Sequence, residues 1–189
     1  MTSTVVWWVL ICGWLASEIW VGVDTRTKQS SGKVQDRGSM ALMWIVVVAA
    51  MTLCNTVAET GPRNLFGGAH WLKTAGIVGM ALGLSVRWTA IATLGKAFSA
   101  NVAILDSQKI MKRGLYRFVR HPSYLGLLLV FVAVGLHSRN RLALVVAVVP
   151  TTAAMLYRIQ VEELALNVAF GEEYLACSRE TKRLVPGIY

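Results

Sequence analysis

The chain has 189 residues, of which 55% are hydrophobic and 15% are charged, and its formal net charge at pH 7 is +9. This composition is too apolar for an ordinary soluble domain of this length, so it excludes that class and favours a membrane protein. The cysteines Cys12, Cys54 and Cys177 are scattered and lack the Cys/His spacing of zinc sites. They therefore predict neither a disulfide framework nor a metal site.

Five apolar segments follow one another along the chain, at residues 5–23, 40–58, roughly 71–91, 124–136 and 142–157. The first three are long enough to cross the membrane, which takes about 20 residues for about 30 Å of hydrocarbon. The last two are short and nearly adjacent, so they predict a tight helical hairpin that spans with flanking residues or local bilayer thinning. The predicted fold is all-α, a single polytopic membrane domain over residues 1–189 with about five transmembrane helices.

Basic residues fall mainly on one side of these segments. Fifteen of the nineteen Lys and Arg residues lie in the first loop, the third loop and the C-terminal region. Because basic residues near helix ends are retained in the cytosol, this pattern predicts an outside N-terminus and a cytosolic C-terminus in a multi-pass protein of the cell membrane. Topology and contacts with anionic membrane lipids then explain the net charge, so no nucleic acid partner is predicted.

Two polar loops and one acidic residue within an apolar segment are candidates for function. The composition of the loop at 24–39 predicts a simple connection between helices, although it also suits a partly ordered segment at the edge of a site. The third loop, from about residue 88 to 120, is the longest polar stretch, which in a small protein is typical of a functional loop. Glu18 lies within the first apolar segment and is a functional candidate by default, but its sequence context assigns it no role.

The sharpest local feature is the sequence Arg-His-Pro-Ser-Tyr-Leu-Gly at 120–126. Pro122 disfavours helix at His121 but suits a first helical turn, so it predicts a helix start near the membrane surface. The free backbone N–H groups of such a start suit a carboxylate or the polar edge of a base. Tyr124 can stack or hydrogen-bond, and Gly126 allows a ligand or a helix to come close. An ordinary proline-started helix with an interfacial tyrosine is the alternative.

A second feature is the sequence Arg-Ile-Gln-Val-Glu-Glu at 158–163, where the fifth apolar segment meets the cytosol. Arg158 and Glu162 share one helical face, where they can pair with each other or with the opposite charges of a zwitterionic ligand. A carboxylate at the membrane boundary is costly unless it is solvated or paired, and a ligand ammonium or sulfonium is one such partner. A solvated surface pair at the helix exit is the plain alternative.

The stretch before the helix start predicts an irregular path, with a glycine turn ahead of Tyr116. Its residues 108–114 interleave apolar and basic side chains. An extended backbone there would offer N–H and C=O groups to an adenine edge. An amphipathic segment lying at the membrane interface fits the same pattern.

In combination and order, these residues resemble the isoprenylcysteine carboxyl methyltransferase family, within the wider group that includes membrane phospholipid methyltransferases. The resembling stretches are 114–126, 158–163, 170–174 and 183–187. The resemblance implies a methyltransferase catalytic region at 87–189 that follows N-terminal transmembrane helices at 1–86. It also implies a cytosolic pocket for S-adenosyl-L-methionine, closed by the loop, the helix start and the end of the last membrane helix.

Carried over by position, the resemblance assigns roles to individual residues. Arg158 would orient the carboxylate of the substrate. Cys177 departs from the family, because related sequences often carry a second aromatic residue there. The implied cofactor contacts are Asn101, Gln108, Lys109, Ile110, Met111, Tyr116, His121, Pro122, Ser123, Tyr124 and Glu162.

The implied reaction is an in-line methyl transfer to the carboxylate of a lipophilic, isoprenylcysteine-like substrate that enters from the bilayer. A carboxylate is already anionic at neutral pH, so positioning and not a catalytic base would supply the rate enhancement. Three alternatives stay open. They are a phospholipid N-methyltransferase, a reductase-like relative with a nicotinamide cofactor, and a transporter or non-enzymatic lipid-binding membrane protein. The pattern specifies neither the physiological acceptor nor an oligomeric state.

Overall fold

The computed structural model describes residues 2–24, 33–34, 38–61, 69–95, 98, 103–104, 110–185 and 187. Over these ranges the predicted all-α fold is confirmed. The helices are α1 (Thr2–Asp24), α2 (Ser39–Thr60), α3 (Trp71–Leu94), α4 (Pro122–His137), α5 (Arg141–Phe170) and α6 (Glu172–Glu180). A short 3₁₀ turn at Gly114–Arg117 precedes α4. Two strands of two residues each, β1 (Lys33–Val34) and β2 (Ala103–Ile104), pair antiparallel.

Four of the described helices, α1, α2, α3 and α5, are long and apolar enough to cross a membrane. Each exposes large apolar side chains on its outer surface, for example Val9, Ile45, Val78 and Val149. The fifth predicted span, α4, has 16 residues and is therefore about 24 Å long, shorter than about 30 Å of hydrocarbon. The chain is an integral membrane protein in which α4 is the short central helix.

The helices pack around α4. It lies between α3 and α5, while α2 packs against α5 and α1 against α3. A buried cluster joins helices α1 to α5 and contains Trp14, Val47, Met80, Phe131 and Met155, one from each helix. Helix α1 runs antiparallel to α4, because a residue near its start, Trp7, stacks on the last residue of α4, His137, with ring centroids 3.7 Å apart. Neighbouring helices along the chain therefore alternate in direction, so that α1 and α3 end where α2 and α4 begin.

Glycines allow α3 and α4 to approach at backbone distance. A Cβ added at Gly126 would lie 2.6 Å from the Arg87 nitrogen and 2.7 Å from the Gly83 oxygen. A Cβ at Gly76 would lie 2.9 Å from the oxygen of Ala133. Gly126 is expected to allow close approach of a ligand or a helix, and the group that approaches it is helix α3. The seven-residue spacing of Gly76 and Gly83 is the signal that predicts such an interface, since small residues let membrane helices pack closely.

The predicted hairpin between α4 and α5 is present. Asn140 caps α5, because its side-chain oxygen accepts hydrogen bonds from the backbone nitrogens of Leu142 and Ala143 at 2.9 and 3.2 Å. Its amide nitrogen donates to the Val57 oxygen at 3.3 Å, which ties the hairpin to the end of α2.

Two helices are longer than the apolar pattern predicts. Helix α5 continues without a break through Pro150 to Phe170, well past the predicted end at residue 157. Helix α3 continues to Leu94, so Arg87 lies inside the helix and is buried instead of opening the third loop. In α5 the first polar residue past the apolar segment, Arg158, is paired with Ser39 of α2.

Candidate functional site

Buried charged side chains concentrate at one end of the bundle, which we call the polar end. It is formed where α1 and α3 finish, where α2 and α4 begin, and beside the second half of α5. Each of these five helices, or the residue just before it, contributes at least one buried polar side chain there, and the five most deeply buried come from five different places. They are Glu18, Ser39, Arg87, His121 and Arg158, all between 1% and 6% exposed.

The helix start at the polar end lies where the sequence predicts it. Pro122 is the first residue of α4 and His121 precedes it as the cap. The prediction of free backbone N–H groups at this helix start is partly wrong, however. Proline has no N–H, the backbone nitrogen of His121 donates to the Arg183 oxygen at 3.0 Å, and that of Tyr124 donates to the His121 oxygen at 3.1 Å. The backbone nitrogens of His121 and Tyr124 are therefore already engaged within the protein.

Glu162 meets the start of α4, as the sequence analysis expects of the two ends of one pocket. The Tyr124 hydroxyl donates to Glu162 Oε2 at 3.1 Å, and His121 Nδ1 lies 4.0 Å from the same oxygen. The His121 and Tyr124 rings are 5.8 Å apart between centroids. The Glu162 side chain is 34% exposed, so it contacts the buried His121 and the half-buried Tyr124 and still reaches solvent.

The residues between the third loop and α4 complete this side of the site. Tyr116 is buried in the 3₁₀ turn, and burial raises the pKa of its hydroxyl, with a further rise from Glu162. The hydroxyl therefore remains a hydrogen-bond donor at physiological pH. Ile110 and Met111 are half-buried just before the turn, and Pro122 is fully buried. The predicted contacts Asn101, Gln108 and Lys109 lie outside the described residues.

Arg158 is buried one helical turn before Glu162, but the two side chains contact different partners. Arg158 Nη1 donates to the Ser39 hydroxyl oxygen at 2.8 Å, and both residues are buried, at 3% and 1% exposure. The guanidinium also lies close enough to the Tyr124 hydroxyl to interact with it. The structure thus joins Ser39, Arg158, Tyr124 and Glu162 in one polar chain across the bundle.

Glu163 is the main residue of this region to which the sequence analysis gave no role. Its Oε1 lies 3.0 Å from Arg120 Nε and 3.4 Å from His121 Nε2, and its Oε2 accepts from Arg183 Nε at 2.8 Å. Its side chain is 9% exposed. Both oxygens of Glu163 are engaged by cationic or imidazole groups of the protein, so Glu163 holds the site together, whereas Glu162 reaches solvent.

The C-terminal segment that follows α6, residues 181–185, packs against the start of α4. The backbone nitrogen of Arg120 donates to the Lys182 oxygen at 2.8 Å, and that of Lys182 donates to the Phe118 oxygen at 3.3 Å. The Arg120 guanidinium also donates to the carbonyl oxygens of Ser178 and Thr181 at the end of α6. This segment fixes the position of His121 from the side opposite the bundle.

Glu18, to which the sequence assigned no role, forms a buried ion pair with Arg87. Arg87 Nε and Nη2 lie 2.5 and 2.6 Å from the two carboxylate oxygens. The other terminal nitrogen of Arg87 donates to the Ser123 hydroxyl oxygen at 2.8 Å, and Trp14 donates to Glu18 at 3.2 Å. The predicted cofactor contact Ser123 is therefore held in place from α1 through α3.

The comparison with known families agrees with this arrangement. The sequence profile of the isoprenylcysteine carboxyl methyltransferase (ICMT) family matches residues 75–168. That range runs from α3 to the end of α5 and contains His121, Arg158 and Glu162. The chain belongs to the ICMT family. Glu18, Ser39 and the C-terminal segment lie outside the matched range.

Individual relatives show the same likeness. The chain is 30% identical over 118 residues to protein-S-isoprenylcysteine O-methyltransferase A of Arabidopsis thaliana, over 61% of this chain and 60% of that protein. It is 32% identical over 118 residues to protein-S-isoprenylcysteine O-methyltransferase of Xenopus laevis, over 61% of this chain and 40% of the relative.

One solved structure is also similar, that of the eukaryotic intramembrane Ras methyltransferase ICMT. The TM-score is 0.62 and the sequences are 26% identical, over 76% of this chain and 52% of that one. The chain thus spans about half the length of this ICMT and three fifths of the plant relative.

Proposed function

We propose that this chain transfers a methyl group from S-adenosyl-L-methionine to the carboxylate of a lipophilic, isoprenylcysteine-like acceptor at the cytosolic face of the cell membrane. One observation carries the proposal. The partly exposed Glu162 carboxylate, the Tyr124 hydroxyl and the buried Arg158 guanidinium converge at one end of an apolar bundle. Membership of the ICMT family and the names of its relatives support the class of reaction.

The donor set at the polar end fits this cofactor. Glu162 presents a carboxylate that suits the positive ammonium or sulfonium group, and it is oriented by the hydrogen bond from Tyr124. Tyr116 and Tyr124 supply hydroxyl groups and aromatic faces, and Met111 supplies an apolar contact. Bound there, S-adenosyl-L-methionine supplies a methyl group activated by its sulfonium.

Arg158 is suited to hold the acceptor. A guanidinium binds a carboxylate through two parallel hydrogen bonds and so fixes its plane as well as its position. The carboxylate is ionised at neutral pH, so its oxygen needs no base to become a nucleophile. Arg158 would hold this oxygen towards the methyl group that the sulfonium would supply, and the products would be a neutral methyl ester and a neutral thioether.

Positioning would then supply most of the catalysis. Holding donor and acceptor in line lowers the barrier by up to about 7–11 kcal/mol in favourable systems. Here each aligning side chain has a partner in the protein: the buried Arg158 donates to Ser39, and the partly exposed Glu162 accepts from Tyr124. The basic loops support placing this end on the cytosolic side, where a water-soluble cofactor is available, while the acceptor's apolar tail stays in the bilayer.

The proposal predicts that S-adenosylhomocysteine, the product form of the cofactor, raises the unfolding temperature of the detergent-solubilised protein. Replacing Glu162 with alanine is expected to abolish this shift, because it removes the carboxylate that faces the cofactor's positive charge. Thermal unfolding with and without S-adenosylhomocysteine measures both effects.

Glu59→Ala is the matched control for this experiment. Glu59 is an exposed carboxylate near the end of α2, at the opposite end of the bundle, where it accepts a hydrogen bond from Asn55. This variant should keep the full shift. If S-adenosylhomocysteine does not shift the unaltered protein at all, the assignment as a methyltransferase is wrong.

A further inference from the structure

We infer that Ser39, the first residue of α2, is a positioning residue for Arg158 and thereby sets the affinity of the site for carboxylate acceptors. The inference rests on the proposed function, since it takes Arg158 to bind the acceptor. It adds α2 to the acceptor side of the site. Ser39 lies outside the range that matches the ICMT family, residues 75–168.

The contact between the two residues is short and buried. Arg158 Nη1 donates to Ser39 Oγ over 2.8 Å, although the residues are 119 positions apart. Ser39 is 1% exposed and Arg158 is 3% exposed. A hydrogen bond from a charged donor is stronger than one between neutral groups, and water has little access to compete for this one.

Local backbone structure directs the Ser39 side chain towards α5. Gly38 adopts a left-handed conformation with φ of 75°, which glycine accommodates without steric cost, and it serves as the N-cap of α2. Its carbonyl oxygen accepts from the Leu42 nitrogen at 3.0 Å. The helix is therefore capped by Gly38, and the Ser39 hydroxyl is used across the bundle.

The chemical consequence follows from the shape of the guanidinium. Its five N–H donors lie in one plane, and a carboxylate must lie in that plane to accept two of them. A hydrogen bond from one terminal nitrogen to Ser39 fixes the rotation of the plane and hence the direction of the other donors. Without the hydroxyl, Arg158 keeps its charge but loses one of the contacts that fix its orientation towards an acceptor.

The test is the steady-state kinetics of Ser39→Ala with N-acetyl-S-farnesylcysteine as the carboxylate acceptor. We expect KM for this acceptor to rise about tenfold, the effect of losing one hydrogen bond to a charged group. The affinity for S-adenosylhomocysteine and the inhibition constant of the neutral carboxamide analogue of the acceptor should stay unchanged. The amide carries no anion, so it does not need the aligned guanidinium.

A second variant and a control accompany this measurement. Ser39→Cys keeps nearly the same shape but offers a weak acceptor, so it should raise KM in the same direction. Thr52→Ala removes an exposed hydroxyl on the same helix, one that donates to the Val48 oxygen at 2.9 Å. It should leave KM unaltered.

The outcomes separate the inference from the function on which it rests. An unchanged KM in both Ser39 variants overturns the inference, and so does a joint loss of acceptor, S-adenosylhomocysteine and amide binding, which would mark Ser39 as a residue of the fold alone. In either case methyl transfer by the unaltered protein leaves the proposed function standing. Absence of methyl transfer by the unaltered protein overturns both.

Discussion

Replacing Arg158 with glutamine is expected to lower kcat/KM for a carboxylate acceptor by about 100-fold or more, because truncating one partner of a buried charged pair typically costs about 2–5 kcal/mol. The affinity for S-adenosylhomocysteine should stay close to that of the unaltered protein, since Glu162 and Tyr124 keep their hydrogen bond. Initial rates over a range of acceptor concentrations, together with thermal shifts, separate the two effects.

Two further variants define what Arg158 contributes. Arg158→Lys keeps the charge but loses the planar fork, so its activity should lie between that of the glutamine variant and that of the unaltered protein. Arg179→Gln removes an exposed arginine of α6 and should have no effect on kcat/KM. Full activity in Arg158→Gln would exclude this arginine from the acceptor site.

Glu18→Ala is expected to destabilise the fold strongly. It leaves the Arg87 guanidinium, which is 6% exposed, without the carboxylate that it contacts through two nitrogens. Breaking a buried ion pair from one side typically costs about 3–5 kcal/mol. The thermal midpoint of the solubilised protein should therefore fall well below that of the unaltered protein.

A double variant distinguishes an uncompensated charge from a lost contact. In Glu18→Leu/Arg87→Met both charges are removed, so most of the stability lost in Glu18→Ala should return, because well-packed apolar residues often replace a buried ion pair without net cost. Glu59→Ala, at an exposed site, serves as the control for losing a carboxylate. A midpoint in Glu18→Ala equal to that of the control would contradict the role assigned to the pair.

The features that could be predicted from the sequence are those with a local signal. Pro122 marks the start of α4 because its ring fixes a first-turn conformation. Asn140 lies in the short polar connection between two apolar segments, and it caps the second helix. The spacing of Arg158 and Glu162 places both on one side of α5, near His121 once the hairpin closes.

The features that could not be predicted depend on contacts between distant residues. Arg87 looks like a basic residue at the end of an apolar segment, and only packing reveals its pairing with Glu18, 69 positions away. Glu163 is indistinguishable from Glu162 by type, yet it is buried against Arg120 and Arg183 whereas Glu162 reaches solvent. A hydropathy pattern carries no information about such pairings.

The end of α5 could not be predicted for a related reason. Charged and polar residues after residue 157 lower the local hydropathy, so the apolar segment seems to finish there. Within the bundle, the first of these side chains in α5 is satisfied by Ser39. Helical structure then continues past the apolar segment, because backbone hydrogen bonds do not depend on the polarity of the side chains.

The most direct test of the account is methyl transfer by the purified protein in lipid nanodiscs. It uses S-adenosyl-L-methionine labelled in its methyl group and N-acetyl-S-farnesylcysteine, with the carboxamide analogue as the control acceptor. We predict label in a base-labile methyl ester of the carboxylate compound and none in the amide, with both Glu162 and Arg158 required. Label found instead in the amine headgroups of phospholipids, or no transfer despite binding of S-adenosylhomocysteine, would contradict the account.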